Sequence, residues 1–507
     1  MHPPPKPKPR QQINHSDKHP HLLSECRVPS AECRANGPLE HSPDRLVGRT
    51  QLGHERGGNG TERGTRQQEG WHGPKLNGWL TGLEAVPNLG LAFFDGISMA
   101  TSVLERSNVA PAQGSALARY LALEATVPVV LFASAAIVVG LHWDIAWHRA
   151  IGRDTFWSPP HILEQVAAAL AGLFCGWRVL YTSFLGTEAD RGNAVRFWGL
   201  FHGPLGGWVC IWGTMAMIAS APFDNWWHAA YGLDVKILSP PHTFLLLGMV
   251  TVQLGAMLMM LAEQNRSAVL AAGDRRGLVF SASMGLIVLM VATIVYSDTG
   301  IANLQHRPLF YQITAGVFPI FLVAAARAGK TRFPATVAAL TYSIVLLVSS
   351  WVLALVPATP KLAPIYNQIT HLTPPGFPLL VLVPAIAIDW LLKRMAGRSD
   401  WLVAPVVGVV FVVLLAAAQW PFATFLMSLD HPNYLFATGY WGYSERLGPW
   451  TKTFFDVPGF TWVRGQGWVG TVDYLAVGKG LLIAMLFGLL SSRLGLWWGR
   501  WMTRVQR

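Results

Sequence analysis

Charge is what this sequence has least of. Asp, Glu, Lys and Arg make up only 13% of its 507 residues, about half the share of an ordinary soluble protein. The deficit runs deeper than that figure, because residues 1–76 hold 12 of the 39 Lys and Arg, 8 of the 28 Asp and Glu, and 7 of the 16 His. What remains is too apolar for a soluble enzyme of several domains. Cysteine is scarce as well: Cys26 and Cys33 lie near the N-terminus, Cys175 and Cys210 lie in apolar runs, and no Cys-x-x-Cys occurs. That distribution supports neither a disulfide framework nor a zinc ribbon. No Gly-rich loop joins a strand to a helix and no nucleophile elbow is present, so phosphoryl and acyl transfer lack their machinery.

Long apolar runs are what the chain has instead. A helix needs about 20 mostly apolar residues to span a bilayer. Ten candidates occur, at 122–142, 161–183, 198–221, 241–262, 278–296, 309–327, 335–357, 378–392, 402–420 and 475–492. The eighth is short and contains Pro384. The expected fold is therefore an all-α polytopic membrane protein of about ten transmembrane helices. Residues 1–90 mix Lys, Arg, His, Pro and Gly without periodicity and read as a disordered basic tail. No basic face on a fold is visible, so no nucleic-acid partner is expected.

Ten spans divide the loops into two sets. One carries Arg191, Arg196, Arg266, Arg275, Arg276, Lys330, Arg332, Lys393, Arg394, Arg398, and the tail arginines Arg493, Arg500, Arg504 and Arg507. The other set (143–160, 222–240, 297–308, 358–377 and 421–474) is thin in Lys and Arg. By the positive-inside rule the first set and both termini are cytoplasmic. His148, His228, His306, His371 and His431 then fall at the outer face.

Two of those outer segments repeat a pattern. The first has Asp144, His148, Gly152 and Asp154, closing on Ser158-Pro159-Pro160-His161; the second has Asp224, His228, Gly232 and Asp234, closing on Ser239-Pro240-Pro241-His242. Asp and His at i and i+4 share a helix face. The paired prolines break the chain and open the next helix, since proline is tolerated in a first turn. A second histidine thereby returns beside the first two groups. Asp144, His148 and His161 form one candidate ligand set; Asp224, His228 and His242 form another. One carboxylate and two imidazoles suit copper, zinc or iron, and the set alone does not choose between them. Asp154, Glu164 and Asp234 are candidate outer acceptors that orient the imidazole N–H groups.

The run from His148 through Arg153, Asp154, Thr155 and His161 to Glu164 resembles the hallmark segment of the C-type subunit of the copper membrane monooxygenases. That family includes the particulate methane, ammonia and short-chain hydrocarbon enzymes. The family pattern Asp-x3-His-x12-His is met by Asp144, His148 and His161. The second metal site of the C-type subunit has Asn-x3-His-x13-His, where this chain places Asp224, His228 and His242, a departure that adds a charge. Residues from about 280 onward resemble the A-type subunit, through the stretches Asn303–Thr314, Phe377–Asp389, Trp420–Ser428 and Tyr434–Tyr440. Where the family has Gly-Glu-Trp, this chain has Ser349-Ser350-Trp351, so no role of that glutamate carries over.

The resemblance implies a C-like part, 118–265, fused to an A-like part, 275–505, with a cupredoxin-bearing B-type subunit on a separate chain. It implies copper as cofactor, O2 and a short hydrocarbon or ammonia as substrates, a reductant such as quinol, an oligomer, and a bacterial inner membrane with the metal loops on the periplasmic side. Catalytic residues beyond the copper ligands are not assigned. Two other readings of the ligand sets stay open: metal transport or storage, and a non-catalytic component that keeps the fold.

Overall fold

The computed structural model of the chain describes residues 115–151, 157–232, 238–267, 275–296, 305–359, 361, 370–373, 376–427, 460–463, 467–470 and 473–507. The expected disordered tail, Cys26, Cys33, Asp154, Asp234 and His431 lie outside them. All described residues belong to one compact unit.

The protein is an all-α polytopic membrane protein. After a short helical turn at Ala116–Arg119 come α1 (Thr126–Ala150), α2 (Pro159–Phe184), α3 (Leu205–Tyr231), α4 (Pro240–Arg266), α5 (Arg275–Tyr296), α6 (Pro308–Ala328), α7 (Pro334–Leu353), α8 (Leu382–Arg394), α9 (Asp400–Met427) and α10 (Tyr474–Met502). Among the described residues, nine of these are long and apolar enough to cross a membrane. The tenth, α8, has 13 residues and spans only about 20 Å. The expected span at 378–392 is thus helical only from Leu382 onward. The stretch before it, 376–381, is irregular, and two of its amides are satisfied by the protein: Leu379 N–H donates to the Tyr342 hydroxyl (3.0 Å) and Leu380 N–H to Gln419 Oε1 (2.8 Å). Irregular backbone at membrane depth survives only where it is buried in protein and satisfied in this way.

Two small hairpins interrupt the helices. β1 (Val195–Phe197) pairs with β2 (Phe201–Gly203) ahead of α3, and β3 (Phe460–Val463) pairs with β4 (Gly467–Gly470) ahead of α10. The third expected span therefore starts as a hairpin and becomes helical only at Leu205. His202 sits in β2, where its amide donates to Ser183 Oγ at 2.8 Å.

Small residues set the helix spacing. α3 and α4 pack antiparallel through Gly206 and Gly213 on one helix and Gly248 and Gly255 on the other; a Cβ on Gly255 would stand 2.6 Å from the Gly206 carbonyl oxygen and 2.7 Å from the Cys210 amide. Lipid tails are as apolar as leucine, so such close backbone approach is a main source of helix association in a bilayer. Gly255→Leu is expected to push α4 off α3 and to cost about 2–3 kcal/mol. A falling thermal midpoint of the purified chain in detergent would show it.

Residues before and after the connection between α4 and α5 are also joined through side chains. His142 Nε2 on α1 meets Thr293 Oγ1 on α5 at 2.8 Å. Gln264 Nε2 donates to the Ala328 carbonyl (3.0 Å), and its Oε1 accepts from the Lys330 amide (3.0 Å). Asn265 Nδ2 donates to the carbonyls of Met502 (2.8 Å) and Val505 (2.7 Å), clasping the end of α10 to the end of α4. At the opposite end of the bundle, Lys361 N–H donates to the Ile151 carbonyl at 2.9 Å. There Ala146, Ala150 and Ile151 pack with Leu353, Ala358 and Leu372.

A candidate metal centre in two copies

The first site is built by one helix end and one helix start. α1 runs on past the expected end of its span to Ala150, so Asp144 and His148 stand one turn apart on the same helix. Ser158 adopts extended backbone, Pro159 and Pro160 open α2, and His161 is its third residue. The second site repeats this with Asp224 and His228 on the last turns of α3 and His242 third in α4. Here the Ser239 hydroxyl also caps α4 by accepting from the His242 amide at 3.5 Å.

The three expected groups of each copy converge. Asp144 Oδ1 lies 3.3 Å from His148 Nε2 and 3.0 Å from His161 Nε2. Asp224 Oδ1 lies 3.2 Å from His228 Nε2 and 3.6 Å from His242 Nε2. In each triad the donor atoms lie within 4.8 Å of one another. Two donors each about 2.1 Å from an ion, at angles of about 90–120°, stand about 3.0–3.6 Å apart. Both sites therefore have the spacing that a bound cation would impose.

The carboxylate oxygens sit at ion-pair distance from the imidazoles. Asp144 Oδ1 and Asp224 Oδ1 are buried and make no hydrogen bond, despite the two imidazole nitrogens facing each. A buried carboxylate oxygen left in this way is costly. In the second copy the tautomer explains why. His228 Nδ1 lies 2.8 Å from the Gly232 carbonyl, which only accepts, so Nδ1 carries the proton. In a neutral ring Nε2 then presents a lone pair to a carboxylate oxygen, and two acceptors face each other until a cation sits between them. Hydrogen bonds of this kind hold metal-ligating histidines in orientation. Gly232 caps α3 at φ +83°, a conformation open to glycine at little cost, and it is this turn that aims the carbonyl at His228.

The outer acceptors fare differently. Asp154 and Asp234 lie outside the described residues. Glu164 is buried, and its Oε1 makes no hydrogen bond. It fits because Gly140 faces it from α1, where a Cβ would come within 2.7 Å of Glu164 Cγ.

Other histidines sort by partner. His142 closes the first expected span and is fully buried, because α1 continues for two more turns and carries it against α5. His306 is expected at the outer face, and it packs edge-on to Trp420 at 4.5 Å with Nε2 3.0 Å from Thr424 Oγ1. Burial pushes its imidazole down to about 4, so the ring is neutral at ordinary pH. His371 forms a bridge with Pro357 and meets Thr370 Oγ1 at 2.9 Å. Cys175 and Cys210 are free and buried.

Asp389 is a polar residue whose task the sequence does not reveal. It is buried on α8 and caps a different helix. Oδ1 accepts from the Ala335 amide (3.1 Å), and Oδ2 accepts from the Thr336 amide (2.8 Å) and hydroxyl (2.7 Å). Nothing local marks it, since the partners stand 53 and 54 residues away.

No family model, curated protein or solved structure matches this chain.

Proposed function

We propose that the chain is a component of a membrane-bound, copper-dependent monooxygenase that hydroxylates a small substrate, a short hydrocarbon or ammonia. The observation that carries the reading is the duplicated triad: two Asp-His-His sets, each with a buried, unbonded carboxylate oxygen between two imidazole nitrogens. Three protein ligands leave a coordination position for a reactant, which distinguishes a reactive site from a closed structural one. Copper, when bound, supplies the one-electron redox chemistry that makes O2 competent to attack a C–H or N–H bond.

The overall change balances as R–H + O2 + two electrons + two protons giving R–OH + H2O. This chain's residues hold, orient and shelter. Asp144 and Asp224 give each site its negative charge, and the carbonyl of Gly232 keeps His228 Nε2 available as a donor. The helix ends exclude water from the carboxylate oxygens, so that the reactive centre meets substrate rather than solvent. The electrons come from a separate reductant, for which quinol is the class in keeping with the resemblance. A cupredoxin-bearing B-type subunit on another chain, an oligomeric assembly, and a bacterial inner membrane with the triads on the periplasmic side complete the proposal.

Transport is the weaker reading. A permeation path would spread ligands through the bilayer, with Met or Cys favoured for Cu(I). Among the described residues, both three-ligand groups sit instead at the ends of helices that chain order places on one side of the bundle.

Copper per chain, measured by elemental analysis in wild type and in His161→Ala and His242→Ala, tests the proposal. The expected result is one ion per triad in wild type and loss of one ion in each variant. Wild type without copper, or copper content unchanged in both variants, refutes it. Where copper is present, 18O2 incorporation into the products of ethane, propane and ammonia reports the chemistry.

A further inference from the structure

We infer that the first triad is supplied from the bilayer, through a groove on α2 in which Ile162, Gln165 and Val166 seat a short hydrocarbon chain against His161. The inference rests on the reading of Asp144, His148 and His161 as a metal centre, and adds to it a route and a wall that selects the reactant.

A cavity of about 80 Å³ is lined by Trp157, His161, Ile162, Gln165 and Val166. His161, Ile162, Gln165 and Val166 form one stripe of the first turns of α2, so a ligand in the groove lies along the helix with its end at the imidazole. Ile162 and Val166 are 44% and 52% exposed. They stand on a helix long and apolar enough to cross the membrane, so their exposed faces meet acyl chains rather than water. Gln165 and His161 are the polar members of the wall. Ammonia, a small hydrated base, gains nothing from such a lining. A hydrocarbon gains about 25 cal/mol for each Å² removed from water.

Size narrows the class. An apolar cavity of about 150 Å³ takes benzene. A groove of about half that volume suits a chain of roughly two to four carbons, with room to spare around methane. The second copy preserves all three ligand positions, and at the places equivalent to Ile162, Gln165 and Val166 it has Thr243, Leu246 and Leu247. The ligands are common to both copies and the side chains beside them differ in shape.

The test uses the full chain, metal-free, in lipid nanodiscs. It is photolabelled with a four-carbon alkyl diazirine and mapped by mass spectrometry. Propane at about ten times its dissociation constant is expected to lower labelling of residues 157–166 about tenfold. Ammonium should leave it unchanged, as should either competitor at Phe132, a lipid-facing site on α1 that is 67% exposed. Val166→Phe, which fills the groove, should abolish the protection while keeping wild-type copper content; Ile162→Phe is the second variant with the same expectation. Labelling of 157–166 that propane does not reduce, or that falls equally at Phe132, overturns the inference, as does protection that survives both variants. Copper content separates the two claims. A wild type without copper removes the metal centre and this route with it, whereas copper without propane protection removes the route alone.

Discussion

Asp144→Asn is expected to abolish tight metal binding at the first triad while costing the metal-free protein much less. The carboxylate contributes the negative charge of the site and stands 3.0–3.3 Å from both imidazoles. An amide oxygen of the same shape supplies neither that charge nor a comparable bond, and a loss of at least about 100-fold in affinity, about 2.7 kcal/mol, is the expected scale. In the metal-free chain the carboxylate still pairs with both imidazoles, so its loss removes those contacts as well as the metal. Thermal unfolding with a chelator and with added Cu(II) separates the two contributions. Wild type should gain about 4 kcal/mol per triad when free metal stands at about 1,000 times the dissociation constant, and the variant should lose the gain due to the first triad.

Asp389→Ala carries the largest expected effect on the fold itself. α7 begins at Pro334 after Phe333, whose side chain makes no capping bond, and the first amides of a helix have no partner within it. Asp389 supplies the partner from α8 and takes the Thr336 hydroxyl as well. Lys393, one turn further along α8, reinforces the same contact: it donates to the Arg332 carbonyl and lies 4.0 Å over the Phe333 ring. Deleting the carboxylate leaves buried donors unpaired, a change worth about 3–5 kcal/mol. For a chain of this size the thermal midpoint in detergent should fall by roughly 3–5 °C. Asp389→Asn keeps one acceptor oxygen and should recover part of the loss. A midpoint within about 1 °C of wild type in Asp389→Ala would show that the cap is dispensable.

How far these features are legible in the sequence depends on how local their causes are. Hydropathy locates the nine long helices because insertion responds to about 20 consecutive residues. Asp144 and His148 are legible because i,i+4 spacing fixes a shared helix face, and His161 because two prolines dictate where α2 starts. The shortness of α8 is less legible. Pro384 hints at it, but the irregular stretch before α8 is tolerated because Tyr342 and Gln419 lie across from it, and neither is near in sequence. Gly140 and Glu164 likewise explain each other only once α1 and α2 are side by side. The burial of His142 follows from the length of α1, which outruns its apolar window.

The clasp of Asn265 on the carbonyls of Met502 and Val505 has a consequence for how the molecule is assembled. It joins the last turn of α4 to the last turn of α10, and with the contacts of Gln264 and His142 it makes a complete interface between the residues on either side of the α4–α5 connection. A peptide link between Ser267 and Arg275 therefore joins residues whose helices already meet through these contacts. What it adds is synthesis in equal amounts and an effective concentration in the millimolar range, which short tethers confer on linked modules. If the resemblance's two parts are fused here, the link makes intramolecular an association that would otherwise be an equilibrium between separate chains.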